Sequence, residues 1–242
     1  MNNPVHPHAT TGNAANAATA PLSFIDVVRA RHCCRGFLRQ PVPDAVIEEV
    51  LKDAQCAPSN CNTQPWATHI VSGAKVGELS QALFKAAGEG RYSPDFSFDQ
   101  AAFSGRYAER IAEQGKAYYG ALCVARDDEQ SRIAAVALNY SFFDAPHVAL
   151  LFMPSIGDNV RVAGDIGMYG QNFLLSLVAR GLGGVPQTSL GFFAGTIREA
   201  LGVPDDMKLL FGISFGYPDL KAAGNSFAMP HDPIAMNVTF HR

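Results

Sequence analysis

The stretch from Val160 to Ala179 limits the fold more than any other part of this chain. Its side chains are apolar nearly all round, and Gly164, Gly167 and Gly170 recur at every third position. A run of that length is too long for a strand and reads as a helix. A helix that is apolar on every side must be covered on every side. Glycine weakens a helix, so its regular return signals another backbone packed close by. Two arrangements meet that demand: a helix buried within one subunit, or one at the centre of a contact between two. With 242 residues the chain is long enough for one sizeable core and short for two domains.

Around this helix the pattern alternates helices with a few strands. Residues 1–20 are rich in Ala, Asn, Thr and His and carry few large apolar groups, so they are expected to form a flexible arm or a segment ordered only against a partner. One domain is expected over residues 21–242. Ser23 offers an N-cap to a helix through Phe24, Val27, Val28 and Arg31. After the break at Pro41–Pro43, Asp44 is expected to cap a second helix with Ile47, Val50, Leu51 and Ala54 on its apolar face. Strands are expected over 66–71, 147–153 (HVALLFM) and 207–215 (MKLLFGISF), with a strand or turn beginning at 183–186 and a strand-like run over 235–240. Further helices are expected over 75–87, 106–122, 128–140 and 196–201. This mixture gives an α+β class.

Composition excludes several roles. A net charge of −3 argues against a general nucleic-acid binder. No apolar run is long enough to cross a membrane, and the first residues lack the basic start and apolar core of a secretory signal. The five cysteines, Cys33, Cys34, Cys56, Cys61 and Cys123, show no zinc-ribbon spacing and read as reduced thiols of a cytoplasmic protein. No metal site is expected. No Ser-His-Asp arrangement or carboxylate pair stands out for hydrolysis.

Three stretches carry polar chemistry. APSNCNTQPW, Ala57 to Trp66, sets Pro58, Ser59, Asn60 and Asn62 in a loop braced by proline at either end, suited to hydrogen-bonding a planar polar ligand or to capping its own turn. RHCCRGF, Arg31 to Phe37, gathers Arg31, His32 and Arg35; taken alone it is a solvated basic helix end facing the macrodipole. GLGGVPQTSL, Gly181 to Leu190, lacks the spacing of a dinucleotide fingerprint. Between residues 88 and 105 the chain makes an aromatic excursion. There Phe96, Phe98 and Phe103 suggest a substrate-pocket wall or an interface, with ordinary packing under a loop as the plainer alternative.

Taken together and in this order, with GISFGYP at Gly212 to Pro218, these motifs resemble the flavin-dependent nitroreductase family from about Leu22 onward, and most closely the subgroup that reduces bulky or carboxylated nitroaromatics. The resemblance implies a mainly antiparallel sheet flanked by helices, an intertwined homodimer, a lid at about 88–105 and a C-terminal tail, about 218–242, crossing to the partner subunit. It implies FMN as cofactor, NAD(P)H as reductant and a nitroaromatic substrate reduced through nitroso to hydroxylamine in a ping-pong cycle. By the same resemblance Arg31, His32, Cys33 and Arg35 meet the phosphate, ribityl chain and pyrimidine edge. Pro58, Ser59, Asn60 and Asn62 come from the other subunit. Pro186, Gln187, Thr188 and Ser189 run along the ring, with the main-chain N–H near Thr188 as the one catalytic group. The tail departs from the family: where relatives place Arg or Lys for the phosphate, this chain has Ala228 and His231, so His231 substitutes weakly or Arg35 carries more of the load. Other chemistry on the same fold, flavin destruction or reductive dehalogenation, and a non-catalytic flavin binder remain the alternatives.

Overall fold

The run HVALLFM lies in the middle of the sheet. In the computed structural model, which describes residues 22–242, four strands pair antiparallel throughout. They are β1 (Ala67–Ser72), β2 (His147–Pro154), β3 (Gly183–Gln187) and β4 (Met207–Gly216), in the spatial order β1-β2-β4-β3. The arm expected over residues 1–20 lies outside the described residues. Every residue of β2 except Pro154 is buried. Alternation sends Val148, Leu150 and Phe152 to one face and Ala149, Leu151 and Met153 to the other. Two helical layers cover these faces. α3 (Ala74–Gly88) and α7 (Ala194–Leu201) close the first through Leu79, Leu83 and Ile197. α2 (Asp44–Gln55) and α6 (Val160–Ala179) close the second through Ile47, Val50, Ile166 and Phe173. The chain is α+β, with an antiparallel sheet between helices, as expected.

α6 begins and ends where its pattern said it would. Val162, Ile166, Tyr169, Phe173 and Leu177 form its inner face. A Cβ on Gly170 would lie 2.9 Å from the ring of Phe211, so that glycine is needed for packing within the chain. Gly164 and Gly167 are different: both are exposed, and a Cβ on either meets nothing within 4 Å.

The remaining helices are α1 (Phe24–Ala30), α4 (Arg106–Ala121) and α5 (Glu129–Ala137). Ser23 caps α1 as expected, its Oγ accepting the Asp26 N–H at 3.3 Å. Asp44 does not cap α2; Pro43 takes that position and Asp44 opens the first turn, where its charge faces the helix dipole. α5 stops at Ala137, short of Tyr140: Asn139 and Tyr140 turn back tightly on the Val136 and Ala137 carbonyls at 3.1 and 2.9 Å, and left-handed φ of 56°, 56° and 64° at Phe142, Phe143 and Asp144 then redirects the chain. No residue of α4 is buried; the tail lies along it, with Arg110 paired to Asp232 and Arg106 donating to the Met236 carbonyl at 3.2 Å. The strand-like run 235–240 forms no ladder. A short turn at Ile234–Met236 stands there instead, and Met236, Val238 and Phe240 are exposed, with no strand among the described residues paired to them. No helix among the described residues is long and apolar enough to cross a membrane.

One buried imidazole ties the layers together. His147 Nε2 accepts the Val42 N–H at 2.9 Å, and Nδ1 lies 2.6 Å from Ser72 Oγ. The ring stacks on Phe215 at 5.3 Å. Nε2 is therefore the unprotonated nitrogen, and the ring is neutral.

Candidate functional site

After α1 the backbone extends and joins the sheet edge. Arg31 ends the helix, its N–H donating to the Val27 carbonyl at 3.1 Å. Cys33 then bridges Gly184 of β3, and the Cys34 N–H donates to the Gly184 carbonyl at 3.2 Å. Glycine permits the approach: a Cβ on Gly183 would sit 2.9 Å from that of Cys34. The first and third motifs are thereby brought side by side. Arg31, Cys33 and Arg35 are half-buried and His32 is exposed, its Nδ1 lying 2.9 Å from the Ala30 carbonyl oxygen. Among the described residues neither Arg31 nor Arg35 pairs with a carboxylate. Cys34 is buried, and burial pushes its thiol up to about 11; its S–H donates to the Gly36 carbonyl at 3.3 Å. It is thus a neutral core group and a poor redox partner for Cys33.

The third motif turns sharply at the end of β3. Gln187 is buried, its amide donating to the Asn139 main-chain carbonyl at 3.0 Å and to Asn139 Oδ1 at 3.2 Å while its oxygen accepts from Ser214 Oγ. Ser189 Oγ donates to the same Asn139 Oδ1 at 3.0 Å. These two side chains brace the turn rather than face solvent. Pro186 and Thr188 are exposed. Thr188 opens a helical turn, Thr188–Phe193, so its N–H has no acceptor inside that turn.

The second motif is held by α6. The Asn60 N–H points at Asp165, 3.1 Å from each carboxylate oxygen, and the Gln64 N–H donates to Ser59 Oγ at 2.9 Å. Cys61, Asn62 and Gln64 take positive φ of 51°, 56° and 47°, a conformation that turns Asn62 outward; Pro58, Asn60 and Asn62 are exposed. Trp66 closes the loop by stacking on Tyr169 at 5.0 Å. Among the described residues no hydrogen bond joins this motif to Arg31–Arg35.

Two of the aromatic excursion residues share a pocket with Thr188. A cavity of about 250 Å³ is lined by Phe96, Phe98, Thr188, Phe192 and the stretch Leu209–Phe211. Phe103 is not in its wall but lies behind Phe98, ring centres 6.3 Å apart. The far wall is a β-bulge: Leu151 pairs with Phe211 and Phe152 with Leu209, leaving Leu210 as the extra residue. Asp95, which sequence reasoning passed over, anchors the near wall. Its side chain is 5 % exposed, accepts the Leu209 N–H at 2.8 Å and pairs with Arg198 of α7. Ser93 adds three bonds: its N–H donates to the Phe192 carbonyl at 2.9 Å, and the Gly195 N–H donates to its Oγ at 3.1 Å and to its carbonyl at 3.3 Å.

The tail reaches the first motif through an unexpected residue. His231 is exposed. Asn225 instead accepts the Arg35 N–H at 2.6 Å and donates to the Gly36 and Asp219 carbonyls at 2.8 and 2.9 Å. Asn139 and Asn225 had no local signal in sequence, since the site groups they hold, Gln187 and Arg35, lie far along the chain.

Residues 28–217 match the model of the nitroreductase family. The chain is 38% identical over 242 residues to the nitroreductase NfnB of Mycolicibacterium smegmatis, covering 100% of both chains. It is 34% identical over 216 residues to a 4-nitrobenzoate reductase of Pseudomonas putida, covering 86% of this chain and 91% of that one. A crystal structure of the FMN-dependent nitroreductase NfnB from Mycobacterium smegmatis, in complex with NADPH, superposes with a TM-score of 0.86 at 39% identity, covering 89% of this chain and 96% of that one.

Proposed function

Since this chain belongs to the nitroreductase family, we propose that it is an FMN-dependent oxidoreductase that reduces nitroaromatic compounds with NAD(P)H. The observation that carries the reading is the docking of the Arg31–Arg35 segment, through Cys33 and Cys34, on Gly184 of the strand that leads into Pro186–Ser189. The residues there fit a flavin mononucleotide. Two half-buried guanidinium groups without carboxylate partners suit a phosphate and an electron-rich ring edge. An exposed N–H at the start of a turn suits an acceptor nitrogen on the ring.

When bound, FMN supplies the redox chemistry, accepting two electrons from the nicotinamide and delivering them to the nitro group. The protein supplies position and charge. Arg31 and His32 hold the phosphate and ribityl chain, Cys33 contacts the cofactor, and Arg35 favours negative charge at the pyrimidine edge. Pro186 and the Thr188 N–H fix the ring along one side. Gln187 and Ser189 act behind them, through Asn139, by keeping the turn rigid. His231 lies exposed in the tail, and Arg35 carries the load that a tail cation would otherwise share. The cavity of Phe96 and Phe98, backed by Phe103, receives the nitroaromatic substrate and excludes water from it.

The functional unit is a homodimer with two interface sites. Pro58, Ser59, Asn60 and Asn62 then reach the partner's cofactor, and the tail from about 218 crosses between subunits. Two features support this: the open, exposed Gly164 and Gly167 of α6, and exposed Ile234, Met236, Val238 and Phe240 in the tail. The setting is the cytoplasm. Reductant and substrate use the same ring face in turn. Initial rates measured at several fixed nitroaromatic concentrations test this: parallel double-reciprocal lines against NADPH are expected, with hydroxylamine as product. Intersecting lines contradict the ping-pong cycle.

A further inference from the structure

Between Lys221 and Arg242 the tail has no Lys or Arg. It nonetheless touches the first motif closely. Gly224 passes so near that a Cβ there would lie 2.5 Å from the Arg35 carbonyl oxygen, and a Cβ on Gly36 would lie 2.2 Å from that of Ala222. Two residues beyond Asn225, Phe227 lays its ring beside the Arg35 guanidinium, whose centre is 5.8 Å from the ring centre. Tyr118 of α4 supplies a second ring at 5.3 Å, and the two rings are 6.2 Å apart. Tyr118 is itself held, its hydroxyl donating to the Ala135 carbonyl of α5 at 3.3 Å.

We propose that the tail serves the cofactor segment by clamping Arg35 instead of contributing a cation: Asn225 fixes its backbone, and Phe227 and Tyr118 orient its guanidinium. The clamp rests on the reading that Arg35 meets FMN. An arginine side chain left free samples many rotamers, and ordering it on binding weakens the complex. Aromatic faces attract the guanidinium without neutralising it. Arg35 is therefore held in place and still carries an uncompensated charge toward an anionic or electron-rich ligand, which a carboxylate partner would have cancelled. The asparagine adds direction, since one amide satisfies the Arg35 N–H and two carbonyls at once. Phe227, Tyr118 and Asn225 are thus positioning residues that act through Arg35.

The test is FMN binding to the apoprotein, followed by flavin fluorescence, together with the midpoint potential of the reconstituted protein and apoprotein melting. Phe227→Leu keeps apolar bulk and removes the ring; Phe227→Tyr keeps the ring. Phe227→Leu and Tyr118→Leu are expected to weaken FMN by about threefold to thirtyfold and to move the potential negative. Phe227→Tyr should match wild type. In an Arg35→Leu background Phe227→Leu should add nothing, because the ring acts only through the arginine. An unchanged affinity and potential in both leucine variants overturns the clamp, as does an equal further loss in the Arg35→Leu background or a Phe227→Tyr variant as weak as leucine. If Arg35→Leu itself binds FMN like wild type, the assignment of Arg35 falls and the clamp with it, a result separable from failure of the rings alone.

Discussion

Thr188 has its side chain in solvent and its N–H at the mouth of a turn, so the group it offers a bound ring is the main chain. Thr188→Ala keeps that donor and is expected to cost little. Thr188→Pro removes it, which should slow flavin reduction by about a hundredfold, or about 2–4 kcal/mol. Anaerobic stopped-flow with NADPH reads this, with FMN affinity and melting compared to exclude a distorted loop. A Pro variant reduced as fast as wild type contradicts the role. His147 sets a different limit. Burial holds its imidazole below the ordinary value, with Asp44 opposing weakly. The folded ring resists a proton that the unfolded chain accepts, so its contribution is fully present above about pH 6.5 and is lost as pH falls through the lower folded value. Melting temperature is expected to decline on acidification below that point, with a smaller slope in His147→Gln. At this scale the sequence disclosed the groups offered to a ligand, because charge and amide clusters are local. Asp95, Asn139 and Asn225 were invisible because each works on backbone or side chains 48 to 190 positions away.

At the scale of elements, period and length were sufficient where burial is one-sided or complete. α6 and β2 came out within a residue, since nothing competes with a continuous apolar run. α5 was overextended because its last residues leave the helix in tight turns on Val136 and Ala137, and the tail was misread as a strand because no strand among the described residues pairs with it. The excursion was legible as an excursion, but not its anchor. Phe96 and Phe98 hang from Asp95, which also holds Leu209 on the opposite wall. Changing Phe96, Phe98 or Phe103 to Ala should alter the nitroaromatic profile more than NADPH-driven flavin reduction, with Phe103 the mildest because it stands behind the wall. An identical substrate ranking in all three variants refutes the pocket. Asp95→Ala leaves Arg198, only 12 % exposed, without its main partner. It is expected to lower stability by about 3–5 kcal/mol, measured by denaturant unfolding.

At the scale of the whole molecule, α1, α4, the tail and the glycine face of α6 show more apolar surface than a lone chain would favour. Phe24 is 74 % exposed and Phe240 66 %. A second copy would cover such surface, and the proposed dimer would bring the loop of Asn62 to the partner's cofactor. Mixing Arg31→Ala and Asn62→Ala subunits should therefore restore one working site in some heterodimers, seen as activity above either parent; a fully active monomer by sedimentation contradicts it. The central claim is that this chain moves electrons from a nicotinamide to a nitro group through FMN. Anaerobic titration of the FMN-loaded protein with NADPH tests it most directly. The yellow absorbance is expected to bleach with one equivalent of NADPH per flavin and to return when a nitroaromatic such as 4-nitrobenzoate is added, whereas flavin that stays oxidised, or stays bleached in the presence of every nitroaromatic tried, would contradict the account.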